Sequence, residues 1–275
     1  MILYRDESFV IVNKPAGVAA HRGWAHDDEE PLLQQVRDLC GCWVYLVHRL
    51  DRGASGCVLL TFSSEGAAWF QQRWHTHVEK RYFAITRGHP AEHVVLDHAI
   101  PKAPGEARVD AVTEFWRRET FGRYALVEAS PITGRLHQIR RHLKHLSCPI
   151  IGDVRYGKGE HNRIFREHHR LHRLALHAHQ LVVPHPNGHD RITVNAPLPD
   201  DMAYAIASAK AHATTAAATA AAVSTAAAVS TAAATTTVAD TSTAADATVS
   251  PPTNTATSTV TAPATATPPG LPPAT

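Results

Sequence analysis

Apolar residues recur in short runs through the first two hundred positions, and most runs have a legible period. Residues 9–12 are apolar and closed by Asn13-Lys14-Pro15-Ala16-Gly17, which predicts a strand ending in a turn. Leu32, Leu33, Val36 and Leu39 follow Pro31 at helical spacing and predict a helix over 31–39. Residues 43–47 and 57–62 read as strands, separated by a polar, glycine-bearing loop, HRLDRGASG, at 48–56. A helix is predicted over 64–78, with Ser63 or Ser64 as its cap and Ala67, Ala68, Phe70, Trp74 and Val78 on its apolar face. Strands are predicted over 81–86, 109–115, 123–129, 176–183 and 191–195. Thr133-Gly134 leads into a predicted helix over 135–146, with Leu136, Ile139, Leu143 and Leu146 on one side. Strands outnumber helices and several are joined by short turns. The pattern predicts an α+β domain on a mainly antiparallel sheet.

The pattern stops near position 205. Residues 206–275 hold 25 Ala and 19 Thr, with no aromatic residue and only Lys210, Asp240 and Asp246 charged. Such a segment cannot bury enough apolar surface to offset its ordering entropy. The expected organisation is a folded domain over 1–205 and a disordered, dispensable tail over 206–275.

Charge adds one feature. The chain has 27 basic and 25 acidic residues, which excludes a strongly acidic or histone-like protein. Residues 135–173, however, hold ten Lys or Arg against Asp153, Glu160 and Glu167, a candidate face for a polyanion. A solvated helix face with a basic loop would look similar. Four cysteines make no disulfide framework, Cys40 and Cys42 have no second pair, and the histidines lack zinc spacing, so no metal is expected. The N-terminus lacks a signal-peptide layout and no run is apolar enough to span a membrane. A soluble, reduced, cytoplasmic monomer with no membrane contact and no obligatory protein partner is expected.

The loop at 48–56 carries the sharpest chemistry. Asp51 stands between Arg49 and Arg52, and Gly53 and Gly56 free the backbone. Flanking guanidiniums favour the carboxylate anion, which suits a nucleophile or general base better than an acid. Taken alone, the loop favours a plainer reading, a turn aspartate in a surface ion pair.

Further segments change that balance. HRLDRGASG resembles the catalytic loop of RluA-type pseudouridine synthases, and VNKPAGVAAHRGW at 12–24, KRYFAITRG at 80–88, TGRLHQIRRHLKHLSCPIIGD at 133–153 and RLALHAHQLVVPHP at 173–186 are similar to family segments in the same order. The resemblance covers about residues 1–200. It implies the pseudouridine synthase fold: a mainly antiparallel mixed sheet, flanking helices and a central catalytic cleft. It also implies isomerisation of uridine in RNA to its C-glycoside without a cofactor. His21, Arg22 and Trp24, the stretch from Arg140 to Leu146 and the lack of an N-terminal S4-type module point to a member acting on tRNA, at the stem position 65. A ribosomal RNA target, a non-catalytic RNA-binding protein on the same fold and a histidine-based metal protein are the competing readings.

The resemblance also assigns roles. Asp51 becomes the catalytic aspartate, attacking C6 of uracil or C1′ of ribose. Arg140 is its guanidinium partner; otherwise it is a phosphate contact on a helix face. Tyr82 stacks on the target base and offers a hydroxyl to carry the C5 proton; otherwise it is a core tyrosine. Arg49 fills the space vacated by the flipped base; otherwise it is a second ion-pair partner of Asp51. His48 and Arg52 are further substrate-binding residues, Ile139 and Leu143 line the pocket's apolar wall, and Lys14, Arg22 and the basic residues of 155–173 bind phosphates. The loop departs from the family at Ala54, where Thr is usual, and Cys148 replaces a common His. Neither change removes an acid or base, so activity is expected to survive.

Overall fold

The computed structural model describes residues 1–22, 29–102, 105–188 and 190–237, with 222–237 as backbone. Its strands are β1 (Ile2–Arg5), β2 (Phe9–Lys14), β3 (Tyr45–Leu46), β4 (Ser55–Thr61), β5 (Glu79–Arg87), β6 (His93–Asp97), β7 (Ile100–Pro101), β8 (Arg108–Val109), β9 (Val112–Phe121), β10 (Tyr124–Pro131), β11 (Leu176–Pro184) and β12 (Arg191–Asn195). Its helices are α1 (Leu32–Cys40), α2 (Ser64–Arg73), α3 (Gln138–His145), α4 (Gly159–His168) and α5 (Asp200–Thr237).

Ten strands form one sheet in the order β1-β2-β4-β11-β5-β10-β9-β6, with β12 on β11 and β3 on β4. Every described pairing is antiparallel except β4 with β11. The α+β fold with a mixed, mainly antiparallel sheet is therefore as the alternation predicts.

Strand β4 has every residue buried, because β2 and β11 flank it and both its faces are covered. Val58 and Leu60 join Val10 and Val12 in one apolar cluster, while Cys57 and Leu59 join Phe9 and Ile11 in another. The period of two along each strand thus feeds two cores on opposite faces. Gly56 has φ +112°, and a Cβ there would run into the backbone of Ala178, its partner across the parallel pair. Only glycine permits this approach.

Strand β9 (Val112–Phe121) runs beyond the predicted 109–115, and the helices depart further from expectation. Helix α2 starts as expected, with Ser63 Oγ accepting from the Gly66 N–H at 3.0 Å, but ends at Arg73. The chain then turns, and Trp74 stacks on His48 at 4.1 Å between ring centres. Helix α3 begins at Gln138 because residues 133–137 form a closed loop. Helix α4 lies in a basic segment for which no element is predicted. It buries His161, Asn162 and Phe165, and two of those three are polar, so its inner face does not register as apolar.

The expected boundary at 205/206 falls inside α5. Met202, Ala205, Ile206 and Ala209 are buried at spacings of three and four. Lys210 Nζ meets Glu119 at 2.6 Å, and Ser208 Oγ lies 2.9 Å from His169 Nδ1. Alanine has the highest helix propensity, which sustains the helix through a sequence with little apolar surface. The chain divides into two units, Met1–Val223 and Ser224–Thr275. Positions 238–275 of the expected tail lie outside the described residues. No described helix is long and apolar enough to cross a membrane.

Two truncations test where the fold stops. Deleting 224–275 is expected to leave the melting temperature unchanged, since the buried residues described on α5 all precede position 210. Ending the chain at Ala205 exposes the Ile206 site, costing about 1.5–3 kcal/mol and roughly 3–12 °C in a calorimetric scan.

Candidate active site

The loop at 48–56, strand β5, the end of β10 and the start of α3 enclose a cleft of about 470 Å³. Sheet order explains why: β4, β11, β5 and β10 are consecutive neighbours. Arg49, Asp51, Tyr82, His137 and Arg140 all line it, with Leu46, Leu50, Ala54, Ile139 and Leu176 as apolar wall. That volume is ordinary for a small-molecule or nucleobase site.

Asp51 keeps 22% of its side chain exposed. Its Oδ2 accepts from Arg140 Nη1 at 2.8 Å, the pairing expected from the sequence. Arg140 does more than that. Its Nε and Nη2 donate to Asp153 Oδ2 and Oδ1 at 2.7 and 2.9 Å, a bidentate fork onto a carboxylate whose side chain is 0% exposed. Asp153 also accepts from the Arg155 and Tyr156 N–H groups. Burial alone would raise its pKa; the Arg140 hydrogen bonds and these amides outweigh burial and lower it. Arg140 is thus a buried bridge between two carboxylates rather than a phosphate contact.

The position of α3 is fixed by its first residue. Gln138 Oε1 accepts from Thr133 Oγ1 at 2.7 Å and from the Arg135 N–H at 3.0 Å. Its Nε2 donates to Val112 O and Thr113 Oγ1 on β9 at 2.9 and 2.8 Å. The side chain at the helix start therefore anchors loop 133–137 to the sheet, and Arg140 follows half a turn later.

Tyr82 pairs across β5–β10 with Ala129, one strand from β11. Burial, and then the charge of Asp51, push its phenol above the ordinary tyrosine range. His48 stacks on Trp74, and its Nε2 accepts from the Leu59 N–H at 3.0 Å. Burial first, and Lys80 second, hold its pKa down to about 3, so the ring is a neutral wall with one nitrogen already engaged.

Several expected contacts lie elsewhere. Lys14 is 0% exposed and reaches no surface. Its ammonium donates to Pro15 O, Val18 O and Arg52 O at 2.8, 2.7 and 3.2 Å, and burial, then Arg173, bring its pKa down to about 8. It ties the turn after β2 to the Asp51 loop instead of binding phosphate. Arg52 does not line the cleft: its Nε donates to Gly17 O and its guanidinium pairs with Glu29 at 2.8 Å, bracing the same turn. Leu143 is fully buried in the core, one turn below Ile139, and does not line the cleft. Arg22 is exposed and is not one of the residues lining the cleft, and Trp24 lies outside the described residues. Arg173 forks Asp201 at 2.7 and 2.8 Å and donates to Ser55 Oγ, so it is structural. Arg155, Lys158, Arg163, Arg166 and Arg170 remain exposed.

Sequence reasoning passed over two contributors, His137 and Asp153. His137 is one of the histidines that lack zinc spacing, yet its Nε2 lies 3.7 Å from Asp51 Oδ1. Asp153 sits in PIIGD, a polar residue after an apolar run, which is the signal that could have flagged it. Ala54 closes its turn through the backbone, its N–H donating to Asp51 O at 3.0 Å, so the departure from Thr leaves this bond in place. Among the described residues, no group of three or more His, Cys, Asp or Glu side chains is arranged to hold a metal.

The chain is similar to known proteins. Residues 8–145 match the family described as RNA pseudouridylate synthase. The chain is 41% identical over 229 residues to tRNA pseudouridine synthase C of Salmonella typhimurium, covering 74% of this chain and 88% of the relative. It is 39% identical over 218 residues to tRNA pseudouridine synthase C of Pectobacterium carotovorum subsp. carotovorum, covering 71% of this chain but only 58% of that relative. Among solved structures, human RNA Pseudouridylate Synthase Domain Containing 4 superposes with a TM-score of 0.63 at 27% identity, over 76% of this chain and 92% of the other.

Proposed function

Because the chain belongs to the RNA pseudouridylate synthase family, we propose that it isomerises a stem uridine of tRNA, at position 65, with Asp51 as the attacking carboxylate. The observation that carries this reading is the Asp51 carboxylate in the wall of a cleft it shares with Tyr82, its Oδ2 fixed by Arg140 at 2.8 Å. The names of the two bacterial relatives support tRNA as the substrate.

The reaction breaks the N1–C1′ bond, turns the detached uracil and joins C5 to C1′. Asp51 attacks C1′ and is displaced as C5 joins C1′, or attacks C6 and leaves when the C5=C6 double bond re-forms. Arg140 orients the carboxylate and is itself held by Asp153, so the nucleophile needs little reorganisation. Leu46, Leu50, Ala54, Ile139 and Leu176 keep water from the intermediate. Tyr82 offers a ring face to the base. A stem uridine must first leave the helix, at a cost of a few kcal/mol. Arg49, exposed at the cleft, fills the vacated space, and the exposed cations of α4 hold phosphates.

Pseudouridine mapping of tRNA and ribosomal RNA from a strain lacking the protein tests the assignment. Loss confined to one tRNA stem position is expected. Loss confined to ribosomal RNA would overturn the substrate, and an unchanged map would overturn the activity.

A further inference from the structure

Isomerisation of uridine moves a proton as well as a glycosidic bond. Once C5 is joined to C1′, it carries both the sugar and its own hydrogen. The product forms when the C5–H bond breaks and its electron pair becomes the C5=C6 double bond. N1, which kept the pair of the severed glycosidic bond, takes up a proton. One proton leaves C5 and one arrives at N1, so no outside co-reactant is needed, but a base must stand within reach of C5.

Tyr82 is poorly suited to that task. A phenol accepts a proton only as phenolate, and burial together with the Asp51 charge opposes ionisation of this one. Its surroundings favour a neutral ring for stacking.

We propose that His137 is the base that removes the C5 proton. It lines the same cleft as Asp51 and Tyr82. Its Nε2 lies 3.7 Å from Asp51 Oδ1, beside the nucleophile but too far for a hydrogen bond to engage it. The opposite edge of the ring is anchored: Nδ1 lies 3.2 Å from the Tyr156 hydroxyl, which in turn accepts from Arg141 Nε at 3.1 Å. The backbone is a second, independent sign. His137 has φ 54° and ψ 29°, a left-handed conformation immediately before α3. That conformation is strained for a side chain of this kind, and such strain clusters at functional sites. It gives the imidazole a direction that a helical residue at this position would not have.

The charges around the ring suit the role. Burial first, and then Arg140, Arg155 and Arg141, disfavour the imidazolium, while Asp51 favours it. The net effect holds the pKa below the ordinary histidine value, so the ring is neutral before the step. Afterwards Asp51 lies beside the cation that has formed. The imidazolium then returns a proton to N1, directly or through solvent.

This inference rests on the activity proposed above, and the test separates the two. The full chain is given a tRNA stem hairpin bearing protium or deuterium at uracil C5, under single-turnover conditions. His137→Asn is the informative variant, because asparagine tolerates the left-handed backbone and is no base. It is expected to slow turnover by roughly 10²–10⁴-fold, to show a larger C5 isotope effect than the wild type, to keep its RNA affinity and to be partly rescued by imidazole. A rate close to wild type would overturn the assignment. So would a slow rate with neither a larger isotope effect nor rescue, the signature of a residue that only positions others. His137→Gln, read the same way, substitutes if the asparagine variant does not fold. Failure of the underlying activity looks different: the wild type makes no pseudouridine, or Asp51→Asn still turns over, and either result overturns both readings.

Discussion

Asp51→Asn is expected to fold normally and to lose turnover by roughly 10⁴-fold or more, as loss of a covalent nucleophile does elsewhere. The amide is close to isosteric, and its oxygen can still accept from Arg140. It cannot form the ester or adduct that splits the reaction into two steps. Stability should hold, because the side chain is partly exposed and the Arg140 fork onto Asp153 is untouched. The measurements are a melting curve, RNA affinity and a single-turnover rate on the same preparation. Full activity in this variant would remove Asp51 from the mechanism.

Arg140→Met is expected to damage the fold as well as the chemistry. The guanidinium is buried and serves Asp51 and Asp153 together. Removing it leaves a fully buried carboxylate without its cation. Breaking a buried pair by deleting one partner costs about 3–5 kcal/mol. For a folded region of this size that is roughly 6–20 °C in melting temperature. Turnover should fall too, while RNA affinity changes little, because the side chain does not face the surface. Adding Asp153→Asn to Arg140→Met should recover part of the stability but none of the turnover, since the amide relieves the stranded charge without orienting Asp51. A stable Arg140→Met protein that merely binds RNA less tightly would show the three-residue cluster to be wrong.

The same cluster marks how far the sequence could be read. Arg140 on a helix beside Ile139 has the pattern of a residue near an apolar wall, and its pairing with Asp51 followed from the resemblance. Its second partner did not. Asp153 is thirteen residues further on, and the turn that returns it to α3 depends on the amides of Arg155 and Tyr156 and on Asn162, whose Nδ2 donates to Asp153 O. Lys14 is a sharper case. A lysine after a strand reads as a surface charge, because lysine is almost never fully buried. Here three carbonyls, one of them from Arg52, receive its ammonium. No local pattern encodes that convergence.

Helix α5 shows the opposite failure. Its composition correctly signals little core-forming surface, yet Ile206 and Ala209 are enough to extend packing beyond position 205. Alternation and helical spacing along the chain determined which residues face inward and the α+β class, because the period of a strand or helix is a local property. The resemblance singled out Asp51, Tyr82 and Arg140. Which inward-facing polar groups meet, and therefore that Arg140 spans two carboxylates, that Lys14 is buried and that His137 turns its ring toward Asp51, was decided only by the tertiary structure. Hydrogen bonds between residues dozens of positions apart depend on strand order and loop closure, and these leave no periodic trace in the sequence.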